Sequence, residues 1–175
     1  LANLGITLAH AIADIVSEKG QILVKYLLPP PIPNSVRVAL RDVAREGGPD
    51  APELQEWWGE PGLSSSEKVY GWNTFEVLAF KVGNPENPVN AVPPRAWAHC
   101  QIRFVVDSKW EEFQDIIQKH LNENGFDMVT VQDAPEANAG GFKASRTDPD
   151  HPWPSYVAES VTRTTGEKTV KLPNS

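Results

Sequence analysis

Asp148, Asp150 and His151 are residue types that bind metal, and carboxylate and imidazole donors suit zinc or manganese. They sit on a Pro-broken stretch, where Asp-Pro-Asp is also ordinary turn chemistry and three ligands rarely converge on one ion. His99 stands beside Cys100, the two types that make a base and a nucleophile. Neighbours on a strand point to opposite faces, so the pairing is geometrically unfavourable and Cys100 reads as a small core residue. His10 lies opposite the apolar stripe of a helix and His120 on a helix flank, which makes both solvated surface histidines. The chain has no Gly-rich phosphate loop, no nucleophile elbow and no paired-Cys motif. These patterns place no metal, cofactor or catalytic residue in the chain itself. The best recognition candidates are Asn90 and Arg103. An arginine can grip a carboxylate through two parallel hydrogen bonds, and an Asn amide can add one directed bond. The same two residues fit an arginine paired with a surface acid and an Asn in a turn.

The elements that carry these residues follow from periodicity. Leu4, Leu8, Ile12, Ile15 and Val16 recur at helical spacing and Gly20 follows, which predicts a helix near 3–18. Ile22–Leu28 reads as a short strand. Asn34 or Ser35 can cap a second helix that buries Val36, Ala39, Leu40 and Val43. Residues 45–68, rich in Gly, Pro and Ser, read as a long loop. Trp57 and Trp58 within it need something to anchor on, another domain or subunit. Thr74–Val82 is a strand punctuated by Phe75, Val77 and Phe80. The clearest strand is 95–106, with Ala96, Ala98, Cys100, Ile102, Phe104 and Val106 on one face. Arg95, Trp97, His99, Gln101 and Arg103 occupy the other, polar face.

Ser108-Lys109-Trp110-Glu111 has capping-box spacing and opens a helix stopped by Gly125. Met128–Gln132 gives a further strand. The arrangement these elements favour is α+β, an open two-layer sandwich with a four-stranded antiparallel sheet and helices on one face. Residues 1–136 form that domain. Residues 137–175 read as a linker and a fragment of an α/β catalytic domain: a short strand near 142–145, a helix over Tyr156–Thr165 ended by Gly166, and a strand at Thr169–Leu172.

The chain has 175 residues, enough for one domain and part of another. Its net charge of -7 argues against nucleic acid and against an anionic membrane surface, both of which call for surplus Lys and Arg. The single cysteine excludes an internal disulfide and fits a reducing, cytoplasmic setting. The chain opens on Leu1 directly in helix-like sequence, which suggests an excised or processed segment.

The stretch Glu67-Lys68-Val69-Tyr70-Gly71-Trp72-Asn73-Thr74-Phe75-Glu76-Val77-Leu78-Ala79-Phe80 resembles the inserted lid of zinc-dependent aminoacylase- and carboxypeptidase-like hydrolases. Asn90-Ala91-Val92-Pro93-Pro94-Arg95-Ala96 and Gln101-Ile102-Arg103-Phe104-Val105-Val106 extend the resemblance. Leu8-Ala9-His10-Ala11-Ile12-Ala13 is similar to the lid's first helix, and Arg146–Trp153 to the return into the catalytic domain. The family includes carboxypeptidase G, aminoacylase, carnosinase and succinyl-diaminopimelate desuccinylase. The resemblance implies a peptidase dimerisation domain that pairs into a homodimer, within a metallopeptidase that hydrolyses amide bonds of N-acyl amino acids or small peptides. It implies that Asn90 and Arg103 touch the substrate carboxylate, and that two zinc ions sit in a catalytic domain missing from this chain. The family's metal ligands, catalytic carboxylate and lid His fall outside these residues, so the chain alone is expected to be inactive and to bind no zinc. Another class of function also fits: a free-standing α+β protein-interaction or small-ligand-binding module without catalysis.

Overall fold

A computed structural model describes residues 1–43, 53–133 and 143–174. The elements run α1 (Leu4–Ile15), α2 (Asn34–Leu40), α3 (Ser65–Tyr70), β1 (Thr74–Val82), β2 (Ala96–Arg103), α4 (Phe113–Glu123) and α5 (Pro152–Thr165). Short 3-10 turns add Lys25–Leu27 and Trp110–Glu112. Two compact units result. One comprises Leu1–Leu28, Thr74–Arg103 and Lys109–Phe142; the other comprises Pro29–Asn73, Phe104–Ser108 and Lys143–Ser175. The domain boundary expected at 136/137 and the linker after it fall outside the described residues.

In the first unit, α1 starts where Asn3 Oδ1 accepts the backbone N–H groups of Gly5 at 3.0 Å and Ile6 at 3.2 Å. It ends at Ile15, three residues short of the expected 18. Val16 turns extended, and the Ser17 hydroxyl holds the turn that brings Val16 against Ile22 in an isolated bridge. β1 and β2 pair antiparallel, from Thr74 opposite Arg103 to Val82 opposite Ala96. A bulge lies between Val77 and Ala79. It explains the apolar spacing of β1: Phe75 and Val77 share a face, the extra residue shifts the phase, and Phe80 and Val82 then return to it. α1 packs on this hairpin and on α4. The contact is close, because a Cβ on Gly5 would lie 2.6 Å from Val82 Cγ1. His120 Nε2 on α4 reaches Asp14 Oδ2 on α1 at 2.7 Å. Ala11, Ile15, Ile22, Val24, Leu27, Phe75, Phe113, Ile117 and Leu121 form the buried interior.

The four-stranded sheet is not formed. Among the described residues the sheet has two strands, accompanied by five α-helices. The two missing strands are explained by where their backbone groups go. Ile22–Leu28 contributes only the bridge at Ile22 before it tightens into the 3-10 turn. Residues 128–132 are held by glutamine side chains of α4. Gln118 Nε2 donates to Val129 O at 3.0 Å, Val131 N donates to Gln118 Oε1 at 2.8 Å, and Gln114 Nε2 donates to Val131 O at 3.2 Å. A backbone satisfied by side chains needs no strand partner.

In the second unit, α2 and α3 pack over Ile32, Val36 and Leu40, with Leu63, Tyr70 and Trp72 closing around them. α3 begins inside what reads from sequence as loop 45–68 and runs two residues past it; residues 45–52 of that loop are outside the described residues. Its start is a complete capping box: Ser64 Oγ accepts from Glu67 N, and Glu67 Oε2 accepts from Ser64 N at 2.8 Å. Glu67 Oε1 also meets Arg37 Nη1 of α2 at 2.5 Å. Gly71 follows α3 as its C-cap, where a Cβ would meet Ile32 Cδ1 at 2.8 Å. The buried Asn73 accepts from Val105 N at 2.9 Å and bonds Ser108 Oγ at 3.1 Å. Ser108 therefore makes no capping box, and the turn that follows it carries no side-chain cap. α5 begins with prolines in its first turn and ends at Gly166 with φ 75°. Among the described residues the tail after it forms no strand beyond an isolated bridge of Asn174 to Arg146. Asn174 is buried, donates to Tyr70 O and accepts from Arg146 Nε at 2.9 Å.

Candidate functional site

The hairpin places the sequence candidates. Its register puts Phe75, Val77, Phe80 and Val82 with Ile102, Cys100, Ala98 and Ala96 on one face. The other face pairs Thr74 with Arg103, Glu76 with Gln101, Ala79 with His99 and Lys81 with Trp97. The first face, with α1 and α4, lines a cavity of about 600 Å³, into which Ala98, Cys100 and Ile102 project. Cys100 is exposed rather than the core residue expected of it, and the partial desolvation of its thiol against this face pushes its pKa up. His99 turns away from Cys100, and its ring lies 4.8 Å from that of Trp97. Cys100 and His99 are thus on opposite faces, as period two requires, and no nucleophile pair is assembled.

Arg103 closes the outer face. It is exposed, and its side chain forms no ion pair with a described residue. The backbone beneath it is held by the pairing with Thr74, so the guanidinium is mounted on a strand rather than a loop. Asn90 is also exposed. It lies in the connection that leaves the hairpin at Val82 and re-enters at Ala96, tied at its base by Gly83 N donating to Arg95 O at 3.1 Å. The attachment of that connection and Arg103 are separated by the length of β2, about 23 Å at the usual rise per residue. The hairpin thus carries the two candidates from its opposite ends.

The other candidates have local roles. Asp148 Oδ1 accepts Asp150 N at 3.0 Å, an Asx turn, and His151 Nδ1 accepts Trp153 N at 3.2 Å as the cap of α5. His10 is exposed. His120, expected to be solvated, instead joins two helices through Asp14. No group of three or more His, Cys, Asp or Glu among the described residues is placed to hold a metal ion, so these residues do not fit a zinc centre. Among the described residues no helix is long and apolar enough to cross a membrane.

Sequence reasoning missed the partnership of Trp97 with His99, although their alternation on one strand face was a usable signal. It also missed the support beneath the Trp57–Trp58 turn, because the Lys68 that supplies it lies ten residues further on.

No family model and no curated protein sequence matches the chain. A solved structure does: the M20 family metallo-carboxypeptidase Sso-CP2 from Sulfolobus solfataricus, with a TM-score of 0.70 and 19% identity. The match covers 100% of this chain and 40% of that one. The chain therefore has the fold of a part of that metallo-carboxypeptidase and spans less than half its length.

Proposed function

We propose that the chain is the lid and dimerisation segment of a zinc-dependent amidohydrolase or peptidase, acting on amide bonds of N-acyl amino acids or small peptides. The fold likeness over the whole chain supports this reading, and Arg103 carries it: a guanidinium with no ion pair to a described residue, on a paired strand, in the motif context described above. Its role is to bind and orient the substrate carboxylate. In open solvent such a contact is weak. It strengthens when the lid closes and water leaves, because the interaction rises as the local dielectric falls. Asn90 adds a directed hydrogen bond. In the two-fold lid dimer that this reading includes, one carboxylate could meet Asn90 of one copy and Arg103 of the other. The metal pair that such an enzyme uses belongs to a domain beyond these residues.

The test is kinetic, in the complete protein that contains this chain. Arg103→Ala should leave the fold intact and lower kcat/KM on a carboxylate-bearing substrate by about 2–4 kcal/mol, roughly 30- to 1000-fold. An analogue lacking the carboxylate should be unaffected. Arg103→Lys should recover only part of the loss, because an ammonium has no planar fork. An equal loss on both substrates, or none, would rule the recognition role out.

A further inference from the structure

The turn bearing Trp57 and Trp58 is a built feature of the second unit. Trp58 N donates to Gln55 O at 2.9 Å and closes the turn. Lys68 Nζ on α3 then donates to Glu56 O at 2.8 Å and to Trp58 O at 2.7 Å. Gly59 follows at φ +83° with the Lys68 stem beneath it, a backbone conformation that favours glycine. The two indoles meet edge to face, with centroids 5.8 Å apart and planes at 76°. A helix-anchored lysine thus fixes two large aromatic rings at the surface.

They are not covered there. Trp57 is 62% exposed, Trp58 46% and Leu54 46%. Exposed apolar area of this kind, presented on a pre-ordered turn, is the anatomy of an interface centre: Trp dominates binding hot spots, and a pre-ordered anchor loses little entropy on binding. Its surroundings select the partner. Glu53, Glu56 and Glu60 flank the two tryptophans in the sequence, and residues 53–60 contain no Lys or Arg; Lys68, the cation at the turn, is taken up by the Glu56 and Trp58 carbonyls. A symmetric contact with a second copy would set these acids against themselves, on a chain already at net charge -7. A basic partner meets the opposite situation. Guanidinium groups stack on indole faces and pair with the carboxylates around them, which Lys does less well.

The geometry points to the Trp57–Trp58 turn as a docking site for an arginine-bearing basic segment of another protein. This inference is independent of the hydrolase reading, since it uses none of the hairpin residues.

Binding of a fluorescein-labelled hexaarginine peptide to the full chain, followed by anisotropy, tests it. Hexaarginine should bind more tightly than hexalysine, and affinity should fall with added salt. Trp57→Ala and Trp58→Ala should each weaken hexaarginine binding roughly tenfold and erase the preference over hexalysine, with the circular dichroism spectrum unchanged. Glu56→Gln leaves the turn intact, because Lys68 uses the Glu56 carbonyl, and should weaken binding several-fold at low salt. Equal affinity of the wild type and both Trp variants would mean attraction to net charge alone and would overturn the proposal. So would failure of the wild type to bind hexaarginine. A wild-type dimer that Trp57→Ala dissociates would assign the surface to a second copy and overturn it too.

Discussion

Replacing Glu67 should remove two supports at once, in amounts that can be separated. Its Oε2 accepts Ser64 N at 2.8 Å and its Oε1 meets Arg37 Nη1 at 2.5 Å, so it both caps α3 and ties α3 to α2. The lost cap is worth about 1 kcal/mol. The ion pair is partly shielded, with 37% of the Arg37 side chain and 13% of the Glu67 side chain accessible, and adds about 1 kcal/mol. Glu67→Ala should therefore destabilise by about 2 kcal/mol, a drop of about 1 M in the urea midpoint at ordinary slopes. Glu67→Gln keeps an acceptor for Ser64 N and should cost about half as much. A double-mutant cycle of Glu67→Ala with Arg37→Met should be non-additive by about 1 kcal/mol, the ion-pair contribution. The pH dependence gives an independent sign. Burial pushes the Glu67 carboxyl pKa up, but the Ser64 backbone N–H, the Ser64 hydroxyl and Arg37 together outweigh it, and the net shift is downward. A carboxyl whose folded pKa is depressed stabilises fully above its unfolded value, about 4.3, and loses that stabilisation as pH falls through the folded value. The gap between wild type and Glu67→Gln should hold from pH 7 to about 5 and close below about pH 4. An Ala variant within about 0.5 kcal/mol of wild type at pH 7, or a Gln gap that widens on acidification, would refute the assignment.

Two further substitutions and one labelling rate follow from other contacts. Gly5→Ala gains about 1 kcal/mol of helix propensity but places a Cβ 2.6 Å from Val82 Cγ1. It should destabilise in thermal unfolding, and Val82→Ala in the same chain should relieve much of the loss. Asn73→Ala leaves the buried Val105 N–H without its acceptor and should cost about 1–3 kcal/mol in urea unfolding. The raised Cys100 pKa predicts iodoacetamide alkylation at pH 8 slower than for an unstructured cysteine, with the rate climbing as pH rises further.

The elements legible in the sequence were those whose own side chains decide them. Alternation fixed the face of every residue from Ala96 to Arg103, so the outward direction of Arg103 and the cavity side of Cys100 were readable in advance. Helical spacing located α1, α2 and α4 for the same reason, and Pro154 and Gly166 bracketed α5. The errors arose where a distant side chain claimed a backbone. Val129 and Val131 look like strand residues, but Gln114 and Gln118 take their hydrogen bonds. Ser108 has the spacing of a capping residue, yet Asn73 claims it from 35 positions away. Ser64-x-x-Glu67 carries the same spacing and does form the box, inside a stretch whose Gly, Pro and Ser content reads as loop. Two equal local signals thus had opposite outcomes. The difference is that Asn73 takes the Ser108 hydroxyl, whereas the Ser64 hydroxyl accepts Glu67 N and Arg37 holds the Glu67 carboxylate from α2. The candidate site divides in the same way. Strand pairing with Thr74 fixes the mount of Arg103, a local property that period two reveals. How Asn90 relates to it depends on a proline-rich connection and, on the proposed function, on a second copy. Neither contributes a periodic signal, so the two residues could be put forward as candidates from sequence while the arrangement that would make them one site could not.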